Sequence, residues 1–393
     1  MLNKGDIIMK LVSPEHIHYG LNATNEINNI VKDMEVRKVY ILCDPILEEL
    51  GSTEKIKTLL VESNIQFELS TNVMAEPSVE KGNEIVEEVR NANPDLLIGL
   101  GGGSTLDLVK AASLIAVQDG SIENYLNLTG DMKLSNEKIP NILMPTTSGT
   151  GAEVTDIAVF SIGDSKDAVT DPLMLATYAI IDPVYTYSLP PKVAAASAVD
   201  AFTHAIESFT SVDATPITDN LAYGAMEKIY NNIREGVWDS KNYEAKNELS
   251  TASIMAGLSF YNAGVAGVHA LAYPLGGNFK IPHGESNAVL LPYVYNVIKK
   301  SCSNKLSQLA PIFNIETADK DSMEISTEIV DKLFKLVEEV GLPENLQFYN
   351  ISEEDIKLLT ENALKQTRLL VRSPLELTEE VIKRIYTDAL EGR

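Results

Sequence analysis

Cysteine and long apolar runs are scarce in this 393-residue chain. Its two cysteines, Cys43 and Cys302, lie far apart and outside any spacing typical of a metal site. This speaks against a disulfide framework and against a cysteine-ligated zinc site, and it fits a reducing compartment. No run of about 18 apolar residues occurs, so no membrane-spanning segment is predicted. The N-terminal residues show no secretion signal, and we expect a cytoplasmic protein.

Basic residues are also in short supply. The chain has 32 Lys and Arg against 56 Asp and Glu, which gives a formal net charge of −24. A phosphate-rich partner would be repelled wherever no local basic patch occurs, and Lys and Arg are scattered along the sequence. We therefore expect neither a nucleic-acid partner nor a membrane partner. The hydrophobic content of 45% is ordinary for a globular protein, and the length predicts two domains.

Two hydrophobicity patterns divide the chain near residue 190. From residue 36 to about 183, short apolar runs such as VRKVYILCD and DLLIGLGGG alternate with amphipathic segments such as EELGSTEKIKTLLVES. This alternation predicts a sheet covered by helices. From residue 191 the apolar residues recur at helical spacing, as in KVAAASAVDAFTHAIESF. We predict an α/β dinucleotide-binding domain over residues 1–190 and an all-helical domain over residues 191–393.

A glycine run between a buried strand and a helix predicts a pyrophosphate site. Gly101, Gly102, Gly103 and Ser104 occupy this position in DLLIGLGGGSTLDLVKAAS. Glycines let the backbone approach a phosphate closely, and the N–H groups at the helix N-terminus face its negative charge. Ser104 stands where the G-x-G-x-x-G fingerprint has its last glycine, so the standard dinucleotide pattern is not matched. A tight turn without a ligand is the alternative.

A second loop, PTTSGTGAEVT over Pro145–Thr155, strengthens this interpretation. It follows another buried strand and contains five Thr or Ser hydroxyls and two glycines. Two such loops at strand ends are what a dinucleotide cleft requires. Asp44, at the end of VYILCD, is placed to bind a ribose 2′-hydroxyl and to repel a 2′-phosphate, which favours NAD over NADP. Its alternative role is to cap a helix that begins at Pro45.

Histidines are few but clustered, because three of the five fall between residues 204 and 283. Asp200 and His204 are four residues apart in a predicted helix, so they project from one side, away from its apolar stripe. Such a pair can chelate one cation, although a solvated pair is the more common outcome. His269 lies in AGVAGVHALAYPLGG, in a helical segment that runs to Tyr273-Pro274, and His283 lies in a turn ahead of a helix predicted from near Glu285. Taken singly, the two would be a core histidine and a helix-capping histidine. Three imidazoles and one carboxylate suit Fe(II) or Zn(II).

The combination of these motifs resembles the iron-containing alcohol dehydrogenase family, which is related in fold to glycerol dehydrogenase and dehydroquinate synthase. The resemblance spans nearly the full length and rests on SPEHIHYG, GGGSTLDLVK, PTTSGTGAEVT, VDAFTHAIES, the fourteen-residue gap from His269 to His283, and RSPLELTEEVIKRIYTDAL. It implies an α/β domain, an all-helical domain and an active site in the cleft between them. It also implies a homodimer or a larger homo-oligomer.

The matching positions imply a set of site residues. The implied metal ligands are Asp200, His204, His269 and His283. The implied cofactor contacts are Asp44, Gly102, Gly103, Ser104, Asp107, Thr146, Thr147, Thr150, Thr155 and Lys166. Tyr273 stands where many members have a further histidine, and its phenol either relays a proton or only donates a hydrogen bond. Glu76 replaces an asparagine that many members have before the corresponding proline.

We therefore predict a metal-dependent NAD(P)(H) alcohol dehydrogenase or aldehyde reductase acting on a small alcohol, diol or hydroxy acid. NAD is favoured over NADP, and Fe(II) or Zn(II) is the expected metal. One alternative is a dehydroquinate synthase-like lyase, which would need Lys or Arg near the metal ligands. The ligand segments AVDAFTHAIE and GVAGVHALAYPLGG contain neither residue. The other alternative is a non-catalytic scaffold that binds a metal or a nucleotide.

Overall fold

The computed structural model describes residues 9–163 and 165–393, which form two compact units. The first, called here the sheet unit, contains residues 14–198 and 232–254 as far as they are described. The second, called the helical unit, contains residues 9–13, 199–231 and 255–393. A domain boundary near residue 190 stays a prediction.

Six strands of the sheet unit form a parallel sheet in the order β1-β8-β5-β4-β2-β3, and β6 and β7 form a separate antiparallel pair. The strands are β1 (His16–Tyr19), β2 (Lys38–Cys43), β3 (Gln66–Ser70), β4 (Leu96–Gly101), β5 (Asn141–Pro145), β6 (Ile157–Ile162), β7 (Ser165–Thr170) and β8 (Tyr178–Ile181). All residues of β4 and β5 are buried, as expected for a parallel sheet covered on both faces. The sequence analysis did not predict the β6–β7 pair.

Helices connect strands of the sheet and predominate in the described chain after residue 190. The helices before residue 190 are α1 (Ile27–Asp33), α2 (Pro45–Glu49), α3 (Glu54–Glu62), α4 (Val79–Ala92) and α5 (Gly103–Ile115). Those that follow are α6 (Pro191–Thr210), α7 (Pro216–Trp238), α8 (Tyr243–Ala263), α9 (Gly267–Phe279), α10 (His283–Leu306), α11 (Ser322–Glu339), α12 (Asp355–Leu364), α13 (Thr367–Leu370) and α14 (Glu379–Glu391). The predicted fold class, α/β followed by all-helical, is confirmed.

Three helix boundaries differ from the sequence prediction. Gly51, at a φ of 74°, interrupts the single helix predicted over EELGSTEKIKTLLVES and separates α2 from α3. Helix α9 continues through Pro274 and ends at Phe279, where Lys280 adopts a left-handed φ of 55°. His283 is the first residue of α10, so it belongs to the helix and not to a turn ahead of it.

No single helix in the described part of the chain is long and apolar enough to cross a bilayer. Helices α8 and α9 reach the length and apolar composition of a membrane span only when taken together, and the pair is bent by 103° at the break between them.

Candidate metal centre and cofactor loops

Four side chains from three helices of the helical unit converge on one point. Asp200 and His204 come from α6, His269 from α9 and His283 from α10, and their donor atoms all lie within 4.8 Å of one another. Asp200 Oδ1 is 4.0 Å from His204 Nε2, 3.8 Å from His269 Nε2 and 3.6 Å from His283 Nε2. Asp200 and His204 are buried, so the solvated pair considered above is not what the fold forms.

Glu207 orients one of these imidazoles. Its Oε2 atom is 2.6 Å from His269 Nδ1, and its Oε1 atom accepts a hydrogen bond of 2.5 Å from the Val268 N–H. Because an ionised carboxylate only accepts hydrogen bonds, Nδ1 of His269 carries the proton and Nε2 keeps its lone pair for a metal. Glu207 is 2% exposed. The sequence analysis missed this residue, although positions 200, 204 and 207 share one face of α6.

Glu207→Gln is expected to lower metal affinity by about tenfold, as removal of a partner behind a metal ligand typically does. Glutamine offers one acceptor oxygen to two N–H donors, so either His269 or the Val268 N–H loses its bond. Chelator competition with Zn(II) or Mn(II) measures the change. The exposed Glu338→Gln on α11 is the control, and equal affinities in both variants would show that Glu207 does not orient the ligand.

The charge balance of the cluster fits a divalent cation. Burial favours the neutral form of Asp200, but charge interactions with the three imidazoles and a hydrogen bond from Asn287 outweigh it, so the pKa of Asp200 is lowered. The side chain of His283 is 34% exposed, whereas the side chains of the other three donors are 2–5% exposed. Three imidazole nitrogens and a carboxylate oxygen are a donor set for Fe(II) or Zn(II).

Aromatic rings surround the cluster. The ring of His204 stacks between Phe260, at a centroid distance of 4.2 Å, and His269, at 4.6 Å. The ring of Tyr273 lies 6.0 Å from that of His283. The Phe260 ring presents an apolar surface beside the donors, and Tyr273 places a phenol ring near the most exposed ligand.

The two predicted cofactor loops lie side by side in the sheet unit. Strands β4 and β5 are adjacent and parallel, and the Thr146 N–H donates a 3.0 Å hydrogen bond to the Gly101 carbonyl. A Cβ atom added at Gly102 would lie 3.8 Å from Thr147 Cγ2, and one added at Gly103 would lie 3.1 Å from Thr150. The glycine run and the start of α5 therefore lie against the hydroxyl-rich loop.

Glu76 links Ser104 to Lys166 at this edge of the sheet. The Glu76 N–H donates a 3.1 Å hydrogen bond to Ser104 Oγ, and the Oε1 atom of Glu76 is 3.1 Å from Lys166 Nζ. Glu76 has a φ of 50°, a left-handed value that is uncommon for a residue other than glycine. Ser104 and Lys166, two of the predicted cofactor contacts, are thus bound by Glu76, the residue that stands where many family members have an asparagine.

Asp107 and Thr155 are turned toward a buried lysine. Lys110, on α5, is fully buried and its Nζ atom is 2.8 Å from Asp107 Oδ1 and 3.3 Å from Thr155 Oγ1. The other Asp107 oxygen accepts a hydrogen bond from the Val159 N–H. Lys110 also donates to the Ile157 carbonyl, so it ties α5 to the second loop and to β6. A direct contact of Asp107 or Thr155 with a cofactor stays a prediction.

Asp44 caps α2, because its Oδ1 atom accepts a 3.0 Å hydrogen bond from the Ile46 N–H and Pro45 occupies the first helical position. The capping role considered above is therefore present. A bond from Asp44 to a ribose hydroxyl stays a prediction.

Burial raises the pKa of Glu153, in the second loop, to about 7, although Lys110 and a backbone N–H partly lower it. The folded state holds this proton more tightly than the unfolded state, so stability is lost as pH rises from the ordinary pKa toward 7. The loss amounts to about 3 kcal/mol. The free energy of unfolding of Glu153→Gln should not show this loss. Its difference from wild type, measured by urea unfolding, should therefore grow by about 3 kcal/mol in favour of the variant from about pH 5 to about pH 8. Glu62→Gln, at the exposed end of α3, should show no such gain, and a parallel gain there would contradict the assignment.

Two family profiles together match most of the chain. The profile described as iron-containing alcohol dehydrogenase matches residues 14–183, and the one described as Fe-containing alcohol dehydrogenase family, C-terminal, matches residues 194–390. The chain belongs to the iron-containing alcohol dehydrogenase family. The predicted family is confirmed, and the lyase alternative is set aside.

Relatives and solved structures of the family match over almost the whole chain. Long-chain-alcohol dehydrogenase 1 of Geobacillus thermodenitrificans is 42% identical over 98% of both chains. A crystal structure of 1,3-propanediol oxidoreductase has a TM-score of 0.93 and 27% identity, covering 98% of this chain and 100% of that one. Sulfoacetaldehyde reductase from Bifidobacterium kashiwanohense, solved in complex with NAD+, has a TM-score of 0.87 and 27% identity, covering 98% and 99%.

Proposed function

We propose that this iron-containing alcohol dehydrogenase oxidises primary aliphatic alcohols to aldehydes with NAD and reduces the aldehydes with NADH. The convergence of one carboxylate and three imidazole donors within 4.8 Å carries this proposal. The relative that is 42% identical is named for long-chain alcohols, which supports an aliphatic substrate. The apolar ring of Phe260 against His204 suits a hydrocarbon chain, and short alcohols and diols are expected to be accepted as well.

We propose that Asp200, His204, His269 and His283 hold Fe(II), with Zn(II) as the alternative. When bound, the cation would act as a Lewis acid toward the substrate oxygen, favouring loss of the hydroxyl proton or polarising the aldehyde carbonyl. Glu207 keeps the Nε2 lone pair of His269 directed at the site, and the aromatic ring of Phe260 keeps His204 in place. Tyr273 is proposed to accept or donate the proton that alcohol oxidation releases.

NAD binding is proposed for the two loops of the sheet unit. The pyrophosphate would meet the backbone of Gly102 and Gly103 and the N–H groups at the start of α5. Thr146, Thr147 and Thr150 belong to the second loop and Lys166 belongs to β7, and all four are proposed as further contacts. The carboxylate of Asp44 supports NAD over NADP, since it would repel a 2′-phosphate.

Anaerobic purification followed by reloading with Fe(II), Zn(II) or Mn(II) tests the function. NADH formation is followed with alcohols from ethanol to hexadecanol, with 1,3-propanediol, and with NADP in place of NAD. We expect turnover with NAD and a primary alcohol after iron loading. Absence of turnover with every metal and both cofactors would favour the non-catalytic scaffold and overturn the proposal.

A homodimer and a cytoplasmic location are also proposed, on the resemblance to the family and on the scarcity of cysteine. Light scattering on the purified protein measures the mass in solution, and a monomer mass would contradict the dimer.

A further inference from the structure

Glu76 places a negative charge close to the loop that is proposed to bind a pyrophosphate. The Glu76 N–H donates a hydrogen bond to the hydroxyl of Ser104, which is the second residue of α5, and α5 begins at Gly103. The carboxylate of Glu76 therefore lies within one side chain's length of this helix N-terminus. A negative charge near a helix N-terminus repels an anionic ligand that approaches the same place. A carboxylate at this position needs a neutralising partner.

The position of Glu76 is fixed by the surrounding backbone. Its φ of 50° is left-handed, and such a conformation of a residue other than glycine persists only where the neighbouring structure imposes it. The carbonyl of Glu76 accepts a 3.2 Å hydrogen bond from Ser161 Oγ, and the carbonyl of Pro77 accepts a 2.9 Å hydrogen bond from the Ser161 N–H. Strand β6 and helix α5 thus hold this residue from two sides, and its side chain starts from a fixed point.

Lys166 on β7 is the neutralising partner. Its Nζ atom is 3.1 Å from Glu76 Oε1, and the side chains of Lys166 and Glu76 are 22% and 36% exposed. Because both side chains are partly withdrawn from water, their charges are screened less than those of a fully exposed pair. The positive charge that would attract a pyrophosphate therefore already has a counter-ion within the protein. An uncharged side chain at position 76 would leave this charge available to the cofactor.

Resting on the NAD site of the proposed function, we propose that Glu76 sets the affinity for the dinucleotide by acting as the counter-ion of Lys166, which the pyrophosphate has to share with it. The incoming pyrophosphate meets a neutral ion pair in place of an isolated cation. The cofactor consequently binds more weakly than it would beside an uncharged residue. Affinity differences among variants of one binding site lie mainly in the dissociation rate, so Glu76 speeds the exchange of reduced for oxidised cofactor between turnovers.

The first test compares the full-length wild type with Glu76→Gln, which keeps the length of the side chain and removes its charge. Fluorescence titration gives the NADH dissociation constant, and stopped-flow fluorescence gives the dissociation rate. We expect Glu76→Gln to bind NADH about fivefold more tightly at low salt. The dissociation rate should fall by a similar factor, and the gain should shrink as salt is raised. Glu76→Asp, which keeps the charge, should stay close to wild type.

Glu84→Gln is the matched control. Glu84 on α4 also belongs to the sheet unit and is also paired with a lysine, Lys81, so the substitution changes the net charge of the protein by the same amount. It should leave the NADH dissociation constant unchanged. An equal gain in Glu84→Gln would show that only the net charge matters, and it would overturn the role of Glu76.

The second test removes the lysine. Lys166→Met leaves the Glu76 carboxylate without its partner near the pyrophosphate, and we expect NADH to bind at least about tenfold more weakly. The double variant Glu76→Gln/Lys166→Met should recover to within about threefold of wild type, because both charges are then absent. A purely structural role of Glu76 in its loop would not produce this recovery. ADP-ribose, which has the pyrophosphate but no nicotinamide, should show the same pattern as NADH.

The outcomes separate this inference from the proposed function. Wild-type NADH affinity in Glu76→Gln at low salt, or a gain with NADH that is absent with ADP-ribose, would overturn the role of Glu76 while leaving the NAD site in place. If glutamine is not tolerated, Glu76→Asn replaces it, because asparagine adopts a left-handed backbone more readily. Failure of the wild type to bind either ligand would instead overturn the proposed NAD site.

Discussion

Replacing His269 with alanine is expected to remove the metal and abolish turnover while leaving NADH binding in place. His269 supplies one of four converging donors, and its loss leaves Glu207 buried without its partner. Each ligand contributes several kcal/mol to the free energy of metal binding. The loss of one ligand therefore corresponds to a drop of at least about a thousandfold in metal affinity. Metal content after anaerobic purification and NADH turnover measure the two effects.

The unpaired Glu207 carboxylate should also lower the free energy of unfolding of His269→Ala by about 1–3 kcal/mol. His283→Ala is the companion variant, since the side chain of His283 is the most exposed of the four donors. His16→Ala, which removes an imidazole stacked on Tyr178 in the sheet unit, is the control. Wild-type metal content in His269→Ala would refute the ligand assignment.

Gly102→Val is expected to weaken NADH binding by at least about 100-fold, or about 2.8 kcal/mol, without unfolding the protein. The φ of Gly102 is −75°, which any residue adopts, and the nearest atom to an added Cβ is 3.8 Å away. The protein itself therefore has room for a side chain, whereas a pyrophosphate at the α5 N-terminus would meet it directly. NADH fluorescence titration gives the dissociation constant.

The same substitution separates the two interpretations of the glycine run. If the run were only a tight turn, Gly102→Val would bind NADH as wild type does. Gly102→Ala should have an intermediate effect of about tenfold, because only one carbon is added. Metal content serves as the internal control, since the four donors belong to the helical unit and should be retained in both variants.

Periodicity in the sequence predicted most of the sheet because the strands are short, apolar and separated by amphipathic helices. The segment QFELS is strand β3 without a change of boundary, and VRKVYILCD contains β2. The break at Gly51 was not predicted, because apolar residues at helical spacing on both sides of it give no sign of a single left-handed residue between them. The β6–β7 pair was missed although IAVFSI alternates between buried and more exposed residues, which is a strand signal.

For the site, spacing and residue type could indicate the four donors but not their neighbours. Glu207 and Asn287 are placed by the packing of α6, α9 and α10, and no sequence period relates Asn287 to Asp200. Lys110 was missed because a lysine within an apolar helix gives no sign that it is fully buried. The contact of Glu76 with both Ser104 and Lys166 depends on a left-handed backbone that sequence reasoning does not predict before a proline.

The donors of the metal cluster are spread over 84 positions of the chain, from residue 200 to residue 283, and come from three separate helices. During synthesis the nucleotide loops, complete by residue 155, leave the ribosome well before the last donor does. If these side chains bind iron as proposed, capture has to wait until α10 has been made and has packed against α6 and α9, so loading would be a late event in maturation. Because the proposed nucleotide loops come from other elements, a cell short of iron would then be expected to accumulate a metal-free protein that still binds its nucleotide.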